Sequence, residues 1–478
     1  MPKIIPIKPV SDTAASGAGM VEDSLYEVRQ KVHARSVTGV FANWRWAMVW
    51  VTQLIFYGLC WLPWNGRQAV LFDIVERKFY IFNLVFWPQD VFFLAVLLII
   101  SAFALFLFTA VGGRLWCGYT CPQTVYTEIF MWIEKQFEGD RSARIKLDKA
   151  PMSAQKLLKR GGKYLTYLVV SLWTGFTFVG YFTPVKTLGL SVFTLSLGPW
   201  EIFWIFFYGG MTYFFAGVMR EQVCTYMCPY ARFQGVMFDP DTLVITYDTE
   251  RGEPRGTRKK GSDYKAEGKG DCVDCGICVQ VCPTGIDIRD GLQMECIGCA
   301  ACIDACDQVM DKVGYPKGLI RYSTENALKE HWGWREILGH VIRPRVIIYS
   351  LVLAAIVGAF IWGLATKAPL RVDVSRDRAV LAREVAGGMI ENVYTLHVMN
   401  VTESPATVEV GVSGLDGIVV EGAERLELES ASARTVTVQV RVPPDSGSKG
   451  ANVIYFDIRS TGEKTAILRE KATFLKTE

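Results

Sequence analysis

Residues 91–122 read VFFLAVLLIISAFALFLFTAVGGRLWCGYTCP. The first twenty-one, Val91 to Val111, are uncharged and mostly apolar; shortly after them come two cysteines four residues apart, the second followed directly by proline. A helix rises about 1.5 Å per residue, so roughly twenty such residues cross a bilayer core of about 30 Å. The stretch predicts a membrane span whose end carries a thiol pair.

Working outward, four more runs have the same character: Trp46–Trp64, Tyr164–Thr183, Ile202–Met219 and Val346–Thr366. Several are bordered by Trp or Tyr, as interfacial anchors are. The first starts more than forty residues into the chain and is followed by no small-residue cleavage site, so it is not a cleaved signal peptide. Half of the residues are apolar and the mean hydropathy is +0.21, which excludes a string of ordinary soluble domains. The expected fold is a polytopic α-helical membrane protein with five transmembrane helices. Leu71 to Pro88 mixes charge with apolar residues and is read as an interfacial element rather than a span.

Loop charge sets the orientation. Residues 112–163 hold ten Lys/Arg, whereas residues 184–198 hold only Lys186. By the positive-inside rule the first loop is cytoplasmic, the N-terminus is inside, and everything after Thr366 is outside. The net charge of +3 does not point to nucleic acid; the basic runs suit loops beside anionic lipid.

Eight cysteines fall within residues 272–306, CVDCGICVQVCPTGIDIRDGLQMECIGCAACIDAC. Each half reads C-x2-C-x2-C-x3-C, the bacterial ferredoxin run that holds 4Fe-4S clusters. Three thiolates two residues apart wrap one cubane only where the backbone curls tightly, and in two-cluster ferredoxins the fourth cysteine serves the other cluster. One cluster is therefore expected on Cys272, Cys275, Cys278 and Cys306, the other on Cys296, Cys299, Cys302 and Cys282. Zinc sites use two pairs rather than two runs of four, and disulfides are rare in the cytoplasm. Asp307 stands where the second run would carry its proline. The module is an inserted α+β dicluster ferredoxin acting as a wire. No nucleotide fingerprint accompanies it: SGAGM (16–20) follows no strand pattern. The electron donor is expected to be a quinol or a separate cytoplasmic reductase.

The opening thiol pair, Cys117 and Cys121, recurs behind the fourth apolar run as Cys224 and Cys228, again with proline next. At this spacing two sulfurs share a helix face, and the proline ends or kinks the helix. Pro122 also suits the start of a new helix, where Val125, Ile129, Trp132, Ile133 and Phe137 form an apolar stripe assigned to packing or an interfacial face. Both pairs emerge on the cytoplasmic side and, if their helices are neighbours, converge. Three readings stand: a site for a soft metal such as Cu(I) or a further iron-sulfur centre, a thiol-disulfide couple, or structural turns. Met219 and Met227 are nearby soft donors or core filler, and Arg114, Arg220 and Arg232 either lower thiol pKa or are simply inside-facing charge. Cys60 reads as a buried hydrophobe. His33, His331, His340 and His397 are isolated and make no haem pair.

After the fifth run the pattern changes. ENVYTLHVMNV, ATVEVGVSG, RTVTVQVRVP and NVIYFDIRS alternate apolar and polar residues, as half-buried strands do. Six or seven such strands without cysteine predict an all-β immunoglobulin-like sandwich that docks a partner or steadies an assembly. The expected organisation is a cytoplasmic tail (1–43), spans one and two (44–111), a loop with the first thiol pair (112–163) and spans three and four (164–219). The second pair and a linker (220–270), the ferredoxin (271–325), a linker (326–345), span five (346–366) and the periplasmic sandwich (367–478) follow.

The ferredoxin segment, the two C-x3-C-P copies and the spans around them resemble the FixG/RdxA/CcoG family of cytochrome c oxidase accessory proteins, over nearly the whole chain. The membrane half is also similar to NapH/NosR-type electron-transfer subunits. The first resemblance implies a role in assembling cbb3-type oxidases in a bacterial inner membrane, with partners among oxidase subunits and copper chaperones or transporters. It implies Cu(II) reduction to Cu(I), with copper at Cys117, Cys121, Cys224 and Cys228 and relay through two 4Fe-4S clusters. The second implies a membrane conduit that passes quinol electrons to another enzyme without copper chemistry.

Overall fold

The computed structural model describes residues 32–258, 265–377, 382–422, 425–461 and 466–476. Most of the expected N-terminal tail, including SGAGM, lies outside them. All five apolar runs are helical over most of their length: α1 (Val40–Gly58), α2 (Val91–Gly112), α6 (Ala154–Val179), α8 (Pro199–Thr212, continued by a π-helical stretch, Tyr213–Met219) and a final helix, Pro344–Ala365. Among the described residues three helices, Pro88–Gly112, Pro199–Met219 and Pro344–Ala365, are long and apolar enough to cross a membrane.

The other two differ from the expected spans in their bounds. α1 stops at Gly58, so Cys60 to Trp64 lie beyond it, and Pro63–Trp64 pairs with Arg67–Gln68 in a hairpin. Its turn is Asn65–Gly66, both at positive φ (47° and 78°), the two-residue turn that matches strand twist. α6 begins ten residues before Tyr164, because the Ser153 side chain caps it by accepting from the Lys156 amide at 3.2 Å. α6 and α8 cross through glycines: a Cβ on Gly175 would lie 2.2 Å from the Ile205 carbonyl oxygen. Small residues let helices approach this closely.

Leu71 to Pro88 is chiefly an antiparallel three-stranded sheet, Val70–Asp73, Lys78–Ile81 and Leu84–Phe86, with Phe72 opposite Phe79 and Phe79 opposite Phe86. It carries the C-terminal domain. Val85 and Trp87 pack with Met399, Val401 and Ala431. Buried Asp90 accepts from Lys367 at 2.7 Å and pairs with Arg371 at 3.2 Å.

The C-terminal domain is a sandwich of antiparallel sheets. One has the order 419–421, 433–442, 389–400, 370–376, with 383–385 added to the third; the other has the order 425–428, 406–413, 450–461, 466–476. Nine strands are described against the six or seven expected, the short Arg383–Val385 and Val419–Glu421 lacking a clear alternation. Leu396, Val398, Val408, Val438, Val440, Ile454, Phe456, Ile458 and Phe474 are fully buried between the sheets.

The ferredoxin region pairs Val244–Tyr247 with Ile320–Ser323 and adds helices at Ile277–Val281 and Ala301–Val313. Ile245, Ile303, Met310, Leu319 and Ile320 form its core. Residues 32–39, expected as tail, strap it to the membrane helices. Arg35 donates to the Gln280 carbonyl at 2.7 Å, and the Asp304 carboxylate accepts from the Phe41 and Ala42 amides at 3.2 and 2.7 Å. A carboxylate at a helix N-terminus satisfies amides that have no intrahelical partner, so α1 starts on the ferredoxin.

Candidate iron-sulfur and thiol site

Two cavities lie inside the ferredoxin region. One, of ≈ 360 Å3, is lined by Cys272, Cys275, Cys278 and Cys306. The other, of ≈ 330 Å3, is lined by Cys282, Cys296, Cys299 and Cys302, with Cys278 on its wall as well. Each cavity gathers three cysteines of one run with the fourth of the other. The backbone curls the same way in both halves: Asp274 and Gly276 have φ of 52° and 63°, and Gly298 and Ala300 have φ of 70° and 60°. Four thiols around an otherwise largely apolar cavity suit a 4Fe-4S group.

Burial pushes the thiols up, Cys278 to about 11 and Cys296 and Cys306 to about 12, and raises Cys299 and Cys302. Iron binding must therefore displace protons. Two arginines oppose the shift. Arg45 donates to the Cys299 carbonyl at 3.0 Å, and Arg114 donates to the carbonyls of Cys296, at 3.2 Å, Met294 and Ala231.

The C-x3-C-P copies share one construction. Cys117 lies in α3 (Leu115–Tyr119), and Cys121 caps α4 (Pro122–Glu138), whose first residue is the proline. Cys224 lies in a π-helical turn, Val223–Met227, and Cys228 caps α9 (Pro229–Met237), again with proline first. The proline ends each preceding helix as expected, but the shared helix face is corrected: Cys121 and Cys228 have ψ of 127° and 110° and sit in extended elbows. π-helical turns favour functional positions.

All four thiols converge. Cys117 feels the charges of Cys121, Cys224 and Cys228, and burial pushes it and Cys224 up to about 12, with Arg114 pulling both down. Of the other two arginines, Arg232 is exposed and Arg220 is committed elsewhere, bonding Glu134 at 2.6 Å and the Tyr167 hydroxyl at 3.0 Å. Met227 is half exposed. Among the described residues no three His, Cys, Asp or Glu side chains stand close enough to hold a single metal ion. That holds for the ferredoxin cysteines too, whose cluster is wider than an ion.

Thiol centre and ferredoxin form one packed body. Cys117 and Cys224 pack on the apolar group of Val281, Ile297, Cys299, Ala301 and Ala305. The Tyr322 hydroxyl donates to the Gly298 carbonyl at 2.7 Å and lies 3.3 Å from the Tyr119 hydroxyl. Buried Glu134 binds Arg144 and Arg220, each at 2.6 Å. The sequence alone assigned no role to Arg45, Glu134 or Gly118. The available signal was charge inside apolar surroundings, as in NWRWAM (43–48) and on α4.

Known families cover these parts. The 4Fe-4S dicluster domain matches residues 219–325, a 4Fe-4S binding domain matches residues 94–138, and the Ig-like fold at the C-terminus of FixG matches residues 360–477. Nitrogen fixation protein FixG of Rhizobium meliloti is 38% identical over 460 residues, 90% of this chain and 87% of that protein. Protein RdxA of Cereibacter sphaeroides is 37% identical over 92% of this chain and 94% of its own length. The chain belongs to the FixG/RdxA family. Ferredoxin-type protein NapH of Escherichia coli is 23% identical over 52% of this chain and 82% of its own. As a FixG/RdxA protein the chain is an iron-sulfur electron-transfer protein with membrane helices, and its first thiol pair lies inside a segment that resembles a cluster-binding domain.

Proposed function

We propose that this protein reduces Cu(II) to Cu(I) during assembly of a cbb3-type oxidase, with Cys117, Cys121, Cys224 and Cys228 as the metal-facing thiols. One observation carries the reading: Cys117 and Cys224 pack against the Cys299 segment, so the thiol centre lies against a cluster cavity. When bound, the clusters supply one-electron relay, and each Cu(II) takes one electron. Soft thiolates favour the Cu(I) product. Arg114 touches both halves, bonding the Cys296 carbonyl and opposing the proton affinity of Cys117. In this reading α1 and α6 also cross the bilayer of a bacterial inner membrane, giving five spans, a cytoplasmic ferredoxin and a periplasmic sandwich. Oxidase subunits and copper chaperones or transporters are the partners.

The test is anaerobic. Chemically reduced full-length protein is mixed with Cu(II), and iron-sulfur bleaching or recovery and chelator-trapped Cu(I) are followed, beside a variant with the four cysteines changed to serine. Copper-dependent oxidation that the variant loses while keeping its ferredoxin iron supports the reading; equal behaviour contradicts it. The cluster-binding match over residues 94–138 favours a second reading, in which the four thiols hold a third cluster and the protein is a conduit. Iron content separates them, about twelve per chain against about eight.

A further inference from the structure

A cavity of ≈ 1210 Å3, open to solvent, lies beside the thiol centre between residues 34–38, the start of α1 and one side of α4. Cys224 and Cys299 both line it, so an occupant touches the walls of both redox centres. Trp46 and Trp132 meet edge to face at 6.5 Å on its lining. Trp132 is 49% exposed, and further along α1 Trp50 and Leu54 are 63% and 66% exposed, an apolar surface suited to lipid.

The inner end is polar. Arg45 is buried, and its Nε has no hydrogen-bond partner among the described residues. The Glu128 carboxylate stands 3.9 Å from Arg45 and makes no hydrogen bond among the described residues. Lys135, Arg144 and Arg220 also line the cavity. Asp140 and Glu221 join Glu128 on the lining, and Arg144 and Arg220 are held by Glu134, so the charges are mixed and suit a neutral polar head group.

We propose that this cavity binds a membrane quinol, with Glu128 as the proton acceptor for its oxidation. The inference rests on the reading of the protein as an electron carrier to copper, for which it names the donor. Each quinol loses two electrons and two protons as both O–H bonds break. The electrons leave singly through the iron-sulfur groups beyond Cys299, and two Cu(II) become two Cu(I). One proton goes to Glu128 and the other to water at the mouth. A nicotinamide would deliver a hydride, which one-electron clusters do not accept.

The test uses full-length, iron-loaded protein in nanodiscs without oxygen and a short-tailed quinol. Quinol is expected to bleach the iron-sulfur absorbance. Glu128→Gln is expected to slow this at least tenfold while an azidoquinone still labels residues 40–58 and 122–138, and Met131→Trp, which fills the cavity, is expected to lose the labelling. The proposal is overturned if quinol leaves clusters oxidised that dithionite reduces, if Glu128→Gln matches the parent, or if the label falls elsewhere. Should Met131→Trp lose its iron, labelling of the parent and the Glu128→Gln rate decide. Copper oxidation of dithionite-reduced protein is read separately, and its failure contradicts the copper reading alone.

Discussion

Gly118 and Gly298 meet backbone to backbone: a Cβ on Gly118 would lie 2.7 Å from the Gly298 carbonyl oxygen, and one on Gly298 would lie 3.1 Å from the Arg114 carbonyl oxygen. Each glycine sits between two of the site's cysteines. The thiol centre and the ferredoxin therefore touch along main chain that has no side chain to move aside.

Gly118→Ala must push the two segments apart by several tenths of an ångström. Iron content is expected to hold, while copper-driven oxidation of the reduced protein slows about tenfold in stopped-flow absorbance. An unchanged rate would show that this contact does not carry the transfer.

Crossed ligation predicts which cluster each cysteine serves. Cys306→Ser is expected to remove the cluster of Cys272, Cys275 and Cys278, and Cys282→Ser that of Cys296, Cys299 and Cys302. Each variant loses about half of the ferredoxin iron and one of two reduced-state EPR signals. Uncrossed ligation would give the reverse pairing.

The Glu134 network gives an acid-dependent contribution. Burial alone would raise this carboxyl, but Arg220, with Arg144 and Lys163, overrides it and holds it at about 2, below the usual 4.5. A depressed folded value stabilises the protein above about pH 4.5 and loses that contribution as pH falls toward 2, on the order of 3 kcal/mol in all. Glu134→Gln leaves buried cations uncompensated and is expected to cost about 3–5 kcal/mol near neutrality. Apparent Tm in detergent against pH should show the gap to the parent closing below pH 4.

Asp90 holds the C-terminal domain to the helical half through Lys367 and Arg371. Asp90→Ala leaves the Lys367 ammonium, 12% exposed, without its carboxylate. Limited proteolysis is expected to cut near residues 366–369 several-fold faster, with the sandwich itself intact.

What the sequence made legible was local. Cysteine spacing declares its chemistry because a cubane demands thiols at set intervals and a tight curl between them. Strands such as RTVTVQVRVP alternate because one face is buried against a second sheet. Less legible features rest on partners far along the chain. The 70–86 sheet reads as charged and irregular until its strands pair with each other and lie under Met399 and Val401. α1 looked apolar to Trp64, yet Asn65–Gly66 turns the chain back into a hairpin. The stripe on α4 read as packing or an interfacial face, and Trp132 is half exposed, whereas Glu134 and Glu138 on the same helix are buried. Hydropathy cannot report that reversal, since the cations that make it stable come from Arg144, Lys163 and Arg220.

The most direct test of the central claim is copper-edge X-ray absorption on anaerobic full-length protein given one copper per chain. The account predicts an all-sulfur copper shell in the reduced protein that disappears when Cys117, Cys121, Cys224 and Cys228 become serine, with the ferredoxin iron signal retained. A nitrogen and oxygen shell indifferent to those substitutions would contradict it.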